Sequence, residues 1–284
     1  MTAVAAHRRR RRRTSRVLYN AAAVLVLLVT VFPIYWMVAT GFKRGVDILS
    51  FEPRWLPFPG TLENYRSAIG KPHFLQDVVN SVVVVVVTVL VSLALAFLAA
   101  LAAARFRFRG RAALVVMLIV VQMVPLEALI IPIYLMLDRA GQTDRLAGII
   151  VTYMTFVLPF TIWTLRGFII NIPEELEEAA MVDGCTRAGA FRRILFPLVA
   201  PGLVATAVFS FIQVWNDYLI AYVLLRSPEK QTLGIWLASF TTNHGTEWGG
   251  VMAGSTLFAI PAVLFFLLVQ RRVVSGLTAG AVKG

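Results

Sequence analysis

The chain has 284 residues, of which 58% are hydrophobic and only 15% are charged. Soluble domains carry about a quarter charged residues, so this composition excludes an ordinary soluble protein. The net charge of +12 is concentrated beside apolar runs, which argues against a nucleic-acid partner and for contact with membrane lipid. A single cysteine excludes an internal disulfide, and three scattered histidines predict no metal site.

Apolar runs in chain order predict six membrane helices, and therefore an all-α polytopic helical bundle. The clearest run, Val78–Ala104, has no charged side chain and exceeds the roughly 20 residues that a helix needs to cross a bilayer. It also lacks the polar face of a soluble core helix. The predicted spans cover residues 18–42, 78–104, 112–138, 146–170, 199–225 and 251–270.

These spans divide the chain into three parts. Residues 1–17 form a basic N-terminal tail, residues 18–270 the transmembrane domain with its core over 74–270, and residues 271–284 a C-terminal tail. A basic segment before an apolar run could be a cleavable signal peptide. The first run is longer than a typical signal, however, and no small-x-small cleavage site precedes a soluble domain. We therefore predict an uncleaved first helix.

The distribution of Lys and Arg predicts the orientation. If the N-terminus is inside, 18 of the 27 basic residues lie on the cytoplasmic side: seven in the N-terminal tail, four in 105–111, four in 166–193 and three in the C-terminal tail. Basic residues favour the cytoplasmic side, so both termini are predicted to be cytoplasmic. The outer loops 43–77 and 226–250 are then long and rich in aromatic residues. They could pack at the membrane interface or dock an external partner, with Trp236, Phe240 and Trp248 as the docking candidates.

The inner loop over residues 171–197 is unusually charged. Pro173 suits the first turn of a helix, and Glu174 and Glu175 follow at the positive end of the helix dipole. Four residues fall at i, i+3, i+4 and i+7, namely Leu176, Ala179, Ala180 and Asp183. This spacing predicts that small and apolar side chains share one face.

Two further residues predict how this loop is divided. Gly184 should end the helix, and Thr186 should cap a second short helix that ends before Pro197. An alanine face allows another protein to approach closely, but the same spacing fits a connector that lies on the membrane. Helical spacing alone does not decide between these two interpretations.

The loop carries a longer pattern: Glu178-Ala179-Ala180, three residues, Gly184, nine residues, and Ile194 to Pro197. It closely resembles the EAA loop of bacterial ABC importer permeases, and departs only at Phe196, where leucine is more usual. The six spans, Trp215-Asn216-Asp217 and the C-terminal ending also resemble the carbohydrate-importer permeases, most of all the six-span partner of the maltose-type heterodimer.

This resemblance implies a type I ABC importer transmembrane domain that transports a sugar, with a di- or oligosaccharide expected. The implied partners are a second permease, two ATP-binding subunits and an extracellular or periplasmic solute-binding protein in a bacterial cell membrane. The residues implied in coupling to the ATPase are Glu178, Ala179, Ala180, Asp183, Gly184, Ile194 and Pro197. The chain contains no phosphate-binding P-loop, so we expect no catalysis and no cofactor here, with ATP and Mg bound by the partner ATPase.

Polar residues within spans are costly and usually face a cavity or a partner. Candidates for the substrate path are Glu127, Phe209, Gln213, Asn216 and Asp217, the last four predicted to share one helix face. They could instead bond to neighbouring helices. An ABC permease for glycerol phosphate or another polar solute remains an alternative. An ion-driven transporter using Glu127 and Asp217 would usually show inverted repeats, which we do not find, and a membrane scaffold would leave the EAA loop unexplained.

Overall fold

The computed structural model describes residues 2–243 and 245–281. Met1, His244 and the last three residues of the C-terminal tail lie outside the described residues. The chain forms two compact units, one comprising Met1–Lys71 and Phe240–Leu257 and the other Pro72–Ser239 and Phe258–Gly284.

The first unit contains one long helix and several short elements. Its elements are α1 (Thr2–Gly41), α2 (Gly45–Ile48), α3 (Glu63–Gly70), the antiparallel strands β1 (Thr241–Thr242) and β2 (Gly245–Thr246), and the first part of α13 (Trp248–Ala281). The most apolar stretch of α1 lies within Leu18–Gly41, and none of its residues is buried against the rest of the chain. The connection after α1 is held by Asp47, which is paired with Arg44 and Arg54, each at 3.0 Å.

The second unit is a helical bundle. Its helices are α4 (Phe74–Arg105), α5 (Arg111–Gln122), α6 (Ile130–Arg139), α7 (Leu146–Ile170), α8 (Glu175–Val182), α9 (Arg187–Ala190), α10 (Phe196–Trp215), α11 (Leu219–Leu224), α12 (Leu233–Ala238) and the rest of α13. In α13, the ring of Phe265 stacks on Phe211 of α10 at 4.1 Å.

Within the described residues, five helical stretches are long and apolar enough to cross a membrane: Leu18–Gly41, Phe74–Arg105, Leu146–Ile170, Arg187–Trp215 and Trp248–Gln270. A sixth span is possible only if α5 and α6 are counted together. The all-α fold is confirmed, and α7 has the predicted bounds. Helix α4 begins four residues earlier than predicted.

The third predicted span, 112–138, is wrong as a single helix. Its two halves are bent by 94°, with a short 3-10 turn at Leu126–Leu129 between them. Pro125 is extended, with ψ at 127°. It lacks the N–H that would continue the helix, and it pushes the preceding residue away from helical geometry. Pro132 lies in the first turn of α6, where a proline is tolerated.

The fifth predicted span, 199–225, is also wrong in its outer part. Helix α10 ends at Trp215, and α11 begins at Leu219. The Asp217 carboxylate accepts hydrogen bonds from the backbone N–H groups of Ile220 (3.1 Å) and Ala221 (3.2 Å). A side-chain acceptor at this place starts a new helix, which explains why the chain breaks here.

The core of the bundle lies where α4, α7 and the start of α10 meet. Small residues of α4, among them Ala96, Ala100 and Ala104, pack against Leu165 and Ile169 of α7. Leu195 and Val199 complete this buried cluster. Small side chains let helix backbones approach closely, which favours packing where lipid offers no hydrophobic drive. The best-packed part of the bundle core therefore lies close to the loop over residues 171–197.

Alternating helix directions give the bundle two ends. We call one the Arg105 end, defined by Arg105, Arg111 and residues 171–195. The opposite one, the Asp144 end, is defined by residues 74–81, Asp144 and residues 217–236. At the Asp144 end, α4 contacts the segment before α12. The Asn80 side chain donates to the carbonyls of Glu229 (3.0 Å) and Gln231 (2.8 Å), and the Ser81 hydroxyl accepts from the Leu233 N–H at 2.7 Å.

Asp144 closes the turn between α6 and α7 onto the chain after α11. Its carboxylate accepts from the backbone N–H groups of Arg226 (2.9 Å) and Ser227 (3.0 Å), from the Ser227 hydroxyl, and from Lys230 Nζ at 3.1 Å. Burial favours the neutral acid. The four hydrogen bonds outweigh that effect and hold the pKa of Asp144 well below its usual value.

We expect Asp144→Asn to lower the free energy of unfolding by about 2 kcal/mol at neutral pH, because hydrogen bonds to a charged group are among the stronger ones. A depressed carboxyl pKa contributes stability above about pH 4, and this contribution is lost as the pH falls through the folded-state value. Thermal unfolding in detergent should therefore show a constant difference from the natural chain between pH 5 and pH 8. At pH 3 the difference should be smaller by about 1 kcal/mol.

Asp138→Asn is the matched control for this measurement. Asp138 is exposed, and among the described residues its carboxylate accepts one hydrogen bond, from the Thr143 hydroxyl at 3.4 Å. A loss as large for Asp138→Asn as for Asp144→Asn would contradict the assignment of Asp144 as the residue that closes this turn.

Candidate functional site

The 171–197 loop leaves α7 through a turn and forms a short helix, α8. The Leu176 N–H donates to the Pro173 carbonyl at 3.4 Å, and the N–H groups of Glu177 and Glu178 donate to the Glu174 carbonyl. Three acidic residues occupy its first turn, where the helix dipole favours negative charge. The predicted helix is therefore present, although it begins two residues after Pro173.

Gly184 ends α8 as predicted. Its φ is +88°, a left-handed conformation that glycine adopts without steric cost. The Cys185 N–H donates to the Ala180 carbonyl at 2.9 Å, and the Gly184 N–H donates to the Met181 carbonyl at 3.1 Å. This pair of bonds is the Schellman arrangement, which satisfies carbonyls that the end of the helix would leave free.

Thr186 caps the next helix as predicted, since its hydroxyl accepts from the Gly189 N–H at 3.1 Å. The prediction that this second helix ends before Pro197 is wrong. Helix α9 continues through a π-helical turn, Phe191–Leu195, into α10. The Phe196 N–H donates to the Phe191 carbonyl. This wider turn makes room for the ring of Pro197, which would otherwise crowd the preceding turn.

The outward surface of α8 carries most of the residues implied in coupling. Glu178, Ala179, Asp183 and Gly184 are exposed, and Val182 is 87% exposed. Ala180 is buried, so it contributes to the attachment of α8 and not to its exposed surface. Further along the loop, Ile194 is half-buried and Pro197 is exposed. We call the exposed set Glu178, Ala179, Val182, Asp183 and Gly184 the α8 face.

Arg105, at the end of α4, holds α8 in place. Its Nε and Nη2 atoms each lie 2.8 Å from Glu177 Oε1, and Nη2 also donates to the Ile172 carbonyl at 3.0 Å. Its side chain is only 11% exposed. Sequence reasoning counted Arg105 only as one of four basic residues that set orientation. The pattern of four arginines in residues 105–111 does not indicate which of them is buried against another helix.

An open cleft of about 550 Å³ lies between the ends of α4 and α8. Its lining mixes charged and apolar side chains: Leu101, Arg105, Phe106, Glu174, Glu177, Glu178, Met181, Arg187, Ala188, Ala190 and Phe191. A surface of this kind, rimmed by charge and backed by apolar groups, is typical of protein interfaces.

The predicted substrate-path residues do not all lie on one helix face. Phe209 stacks on Phe160 with ring centroids 3.8 Å apart. Gln213 is exposed in the last turn of α10, and Asn216 is exposed at the end of that helix. Asp217 lies beyond the end of the helix and accepts from the Tyr153 hydroxyl at 2.7 Å. The prediction that it shares their face is therefore wrong. Glu127 is exposed in the 3-10 turn that follows the break at Pro125.

Two of the three docking candidates are buried. Trp236 is 3% exposed and packs on Phe74, and Phe240 is fully buried beneath Lys71. Neither ring is presented to a partner in this structure, because each fills the interior of its own unit. Trp248 is 48% exposed, so the docking prediction reduces to this residue. In the part of the chain that the structure describes, no group of three or more acidic, His or Cys residues could hold a metal.

Residues 92–278 match the family described as the binding-protein-dependent transport system inner membrane component. The match covers about two thirds of the chain and includes the whole 171–197 loop. The chain belongs to this family. The resemblance of this permease to binding-protein-dependent importer permeases is confirmed by this match.

Several curated relatives cover nearly the whole permease. The diacetylchitobiose uptake system permease protein DasC of Streptomyces coelicolor is 47% identical over 269 residues, which cover 95% of this chain and 98% of that protein. The trehalose transport system permease protein SugB of Mycobacterium tuberculosis is 35% identical, covering 89% and 92%. The trehalose/maltose transport system permease protein MalG of Thermococcus litoralis is 31% identical, covering 95% and 97%.

Solved structures share the fold of the permease. A chain of a bacterial ABC transporter involved in the import of the acidic polysaccharide alginate superposes with a TM-score of 0.75 at 23% identity, covering 91% of this chain and 97% of that one. A chain of the MetNI methionine ABC transporter gives a TM-score of 0.58 at 17% identity, covering 72% and 95%. The fold is therefore that of a type I ABC importer transmembrane domain in a multi-pass membrane protein.

Proposed function

We propose that this permease forms part of the translocation path for a di- or oligosaccharide in an ABC importer, and that separate ATPase subunits drive it. The observation that carries the proposal is the α8 face. It is exposed, it includes the small residues Ala179 and Gly184, and it lies on a helix held to the bundle by Arg105. It carries Glu178, Ala179 and Gly184 of the EAA pattern. Small side chains let a partner surface approach the helix closely, and the acidic residues at its edge favour a basic partner.

The remaining parts of the importer follow from the same proposal. Two ATPase subunits bind ATP and Mg, so the permease itself catalyses nothing. A second permease covers the exposed apolar side chains of α1, α5 and α13, together with membrane lipid. A solute-binding protein delivers the sugar at the Asp144 end of the bundle. In the other compact unit, Trp248 is the docking candidate whose side chain is exposed. The Arg105 end and both termini are then cytoplasmic in a bacterial cell membrane.

Sugar as the substrate is supported by the relatives and by the side chains of α10. The relatives named for diacetylchitobiose, trehalose and trehalose/maltose all carry disaccharide names. The stacked Phe160 and Phe209 rings with the exposed Gln213 and Asn216 amides provide apolar surface beside donors and acceptors. Hydroxyl-rich ligands need this combination, in which a few placed polar groups fix orientation on an aromatic surface.

The test is reconstitution of the whole importer. The permease is co-purified with candidate second-permease, ATPase and binding-protein subunits from the same organism, and placed in proteoliposomes. ATP hydrolysis and uptake are measured with diacetylchitobiose, trehalose, maltose and glycerol 3-phosphate. We expect stimulation of ATP hydrolysis by the binding protein loaded with one of the disaccharides. Stimulation by glycerol 3-phosphate alone would overturn the sugar assignment, and gradient-driven uptake by the isolated chain would overturn the importer.

A charge reversal tests the docking face within the same system. We expect Glu178→Lys to weaken ATPase binding about fivefold, the size typical of an exposed charge pair. Among the described residues Glu178 forms no ion pair of its own, so the reversal breaks no contact within the permease. Titration of the ATPase against the detergent-solubilised permease measures the effect. Glu229→Lys, an exposed reversal at the Asp144 end, is the control and should leave ATPase binding unchanged; equal weakening by both would contradict the face.

A further inference from the structure

We propose that Arg105 is a positioning residue that fixes α8 to the end of α4, so that displacement of α8 by the ATPase moves α4 and the segment over residues 229–233. This inference rests on the proposed function, because it requires that the ATPase docks on the α8 face. In this proposal, one arginine transmits the displacement of α8 to α4.

The attachment of α8 explains why a third contact is needed. The helix is joined covalently to α7 through residues 171–174 and to α9 through residues 183–186. The second joint is fixed by the Schellman bonds and the Thr186 cap, but neither joint ties α8 to a helix outside its own loop and the two helices beside it. Arg105 of α4 provides such a contact through Glu177, in the first turn of α8.

The side-chain contacts between α8 and the rest of the bundle all involve Arg105, among the polar contacts of the described residues. Within the described ranges, its guanidinium makes all the ion pairs and side-chain hydrogen bonds that join residues 172–184 to another helix. These are the bonds to Glu177 and to the Ile172 carbonyl, and a longer 3.8 Å approach to Glu174. The Ile172 carbonyl precedes Pro173 at the exit from α7, so one side chain holds both the entry to α8 and its first turn.

The chemistry requires arginine at this position. The guanidinium is a rigid planar fork with five donors, so it can bond a carboxylate and a backbone carbonyl together. A lysine carries the same charge as a single point and cannot hold both groups in fixed geometry. Because the Arg105 and Glu177 side chains are 11% and 21% exposed, solvent screens their attraction less than it would at an open surface.

Helix α4 is suited to carry the movement across the membrane. It has 32 residues and is therefore about 48 Å long. Beside Arg105, its Ala103 carbonyl accepts from Arg166 of α7 at 3.3 Å. At its other end Asn80 and Ser81 bond to Glu229, Gln231 and Leu233. Side-chain hydrogen bonds therefore fasten α4 to its neighbours at both ends, and a packed helix between two such contacts transmits displacement better than a loop does.

The loop that follows Arg105 supplies the matched control. Arg107 and Arg109 lie two and four residues further on, are exposed, and form no ion pair in the described part of the chain. Arg109→Gln removes the same charge from the same end of the bundle as Arg105→Gln, so both changes have a similar effect on the charge that favours the cytoplasmic side. Only Arg105→Gln removes the contact with α8.

The experiment compares these variants in the reconstituted importer. Three quantities are measured: the ATPase retained on the purified complex, the stimulation of ATP hydrolysis by the loaded binding protein, and sugar transported per ATP hydrolysed. For Arg105→Gln we expect ATPase retention within threefold of the natural chain, but stimulation and transport per ATP at least tenfold lower. Arg109→Gln should match the natural chain within twofold in all three.

Two further variants separate coupling from folding. Arg105→Lys keeps the charge but not the fork, so it should assemble normally and still lose at least threefold in transport per ATP. The exchange Arg105→Glu with Glu177→Arg restores the ion pair but not the bond to the Ile172 carbonyl. It should recover at least threefold in transport per ATP over Arg105→Glu alone at equal ATPase retention, which would not occur if the two residues acted independently. If Arg105→Gln fails to assemble, the lysine variant and the exchange carry the test.

The possible failures are distinguishable. If the natural complex is not stimulated by its binding protein, the proposed function fails, and this inference fails with it. If the natural complex is stimulated and the Arg105 variants transport as much sugar per ATP as Arg109→Gln does, only this inference is overturned.

Discussion

Gly184→Val is expected to weaken ATPase binding about 30-fold, whereas Gly110→Val leaves it within threefold of the natural chain. Gly184 has a φ of +88°, a conformation that costs an L-residue about 1–2 kcal/mol and a β-branched residue more. About 2 kcal/mol corresponds to roughly 30-fold in an equilibrium constant. A valine relieves this strain by leaving the left-handed region, which breaks the Schellman bonds and turns the α8 face away from its place beside Arg105.

Gly110 matches Gly184 in its backbone φ and in the open space around it. It lies in the α4–α5 loop at the same end of the bundle and has a φ of +90°. At both positions an added Cβ meets no atom within 4 Å, so the two substitutions differ in backbone context and not in crowding. Titration of the purified ATPase against each variant measures the difference. Equal weakening by both valines would show that general strain, and not the α8 face, controls binding.

Asp217→Ala is expected to lower the free energy of unfolding by about 3 kcal/mol. The change removes the acceptor that starts α11, worth about 1 kcal/mol. It also leaves the Tyr153 hydroxyl, in a residue that is 5% exposed, without its partner, which costs about 1–3 kcal/mol. Tyr153→Phe removes only the second contact and should cost less. Thermal unfolding of both single variants and the double variant gives the coupling between the two residues.

Asp217→Asn distinguishes a structural role from a transport role that needs charge. An asparagine oxygen can still accept from the N–H groups of Ile220 and Ala221, so stability and sugar uptake should be largely retained. If uptake is lost while stability is kept, the carboxylate acts in transport itself, as a proton-driven mechanism would require. That result would contradict a purely structural role for the hydrogen bonds of Asp217.

The elements that could be predicted from the sequence are those set by local rules. Helix α7 has the predicted bounds because its apolar run is long and is bounded by polar turns. Gly184 and Thr186 behave as predicted because each acts through its own backbone or a neighbour three residues away. Such signals are complete within a short window, so one sequence is enough to read them.

The features that could not be predicted depend on residues far apart in the chain. Arg105 and Glu177 are separated by 72 positions, and nothing in either segment indicates the other. The hydrogen bond between Asp217 and Tyr153 joins positions 64 apart, so the carboxylate was assigned to a helix face that it does not occupy. Hydropathy does not predict the helix breaks at Pro125 and after Trp215, because the sequence stays mainly apolar on both sides of each break.

The break at Pro125 has a consequence for the hydration of the membrane interior. Helix α5 has 12 residues and rises only about 18 Å, while the hydrocarbon core of a bilayer is about 30 Å thick. If Arg111 lies at the interface, the unwound backbone over residues 123–125 lies well below the opposite surface. Lipid tails cannot hydrogen-bond the carbonyls of unwound chain, so such a stretch is tolerated only against protein or beside water. The bent pair of helices therefore marks the depth at which water, or the partner subunit, must enter the membrane next to this chain.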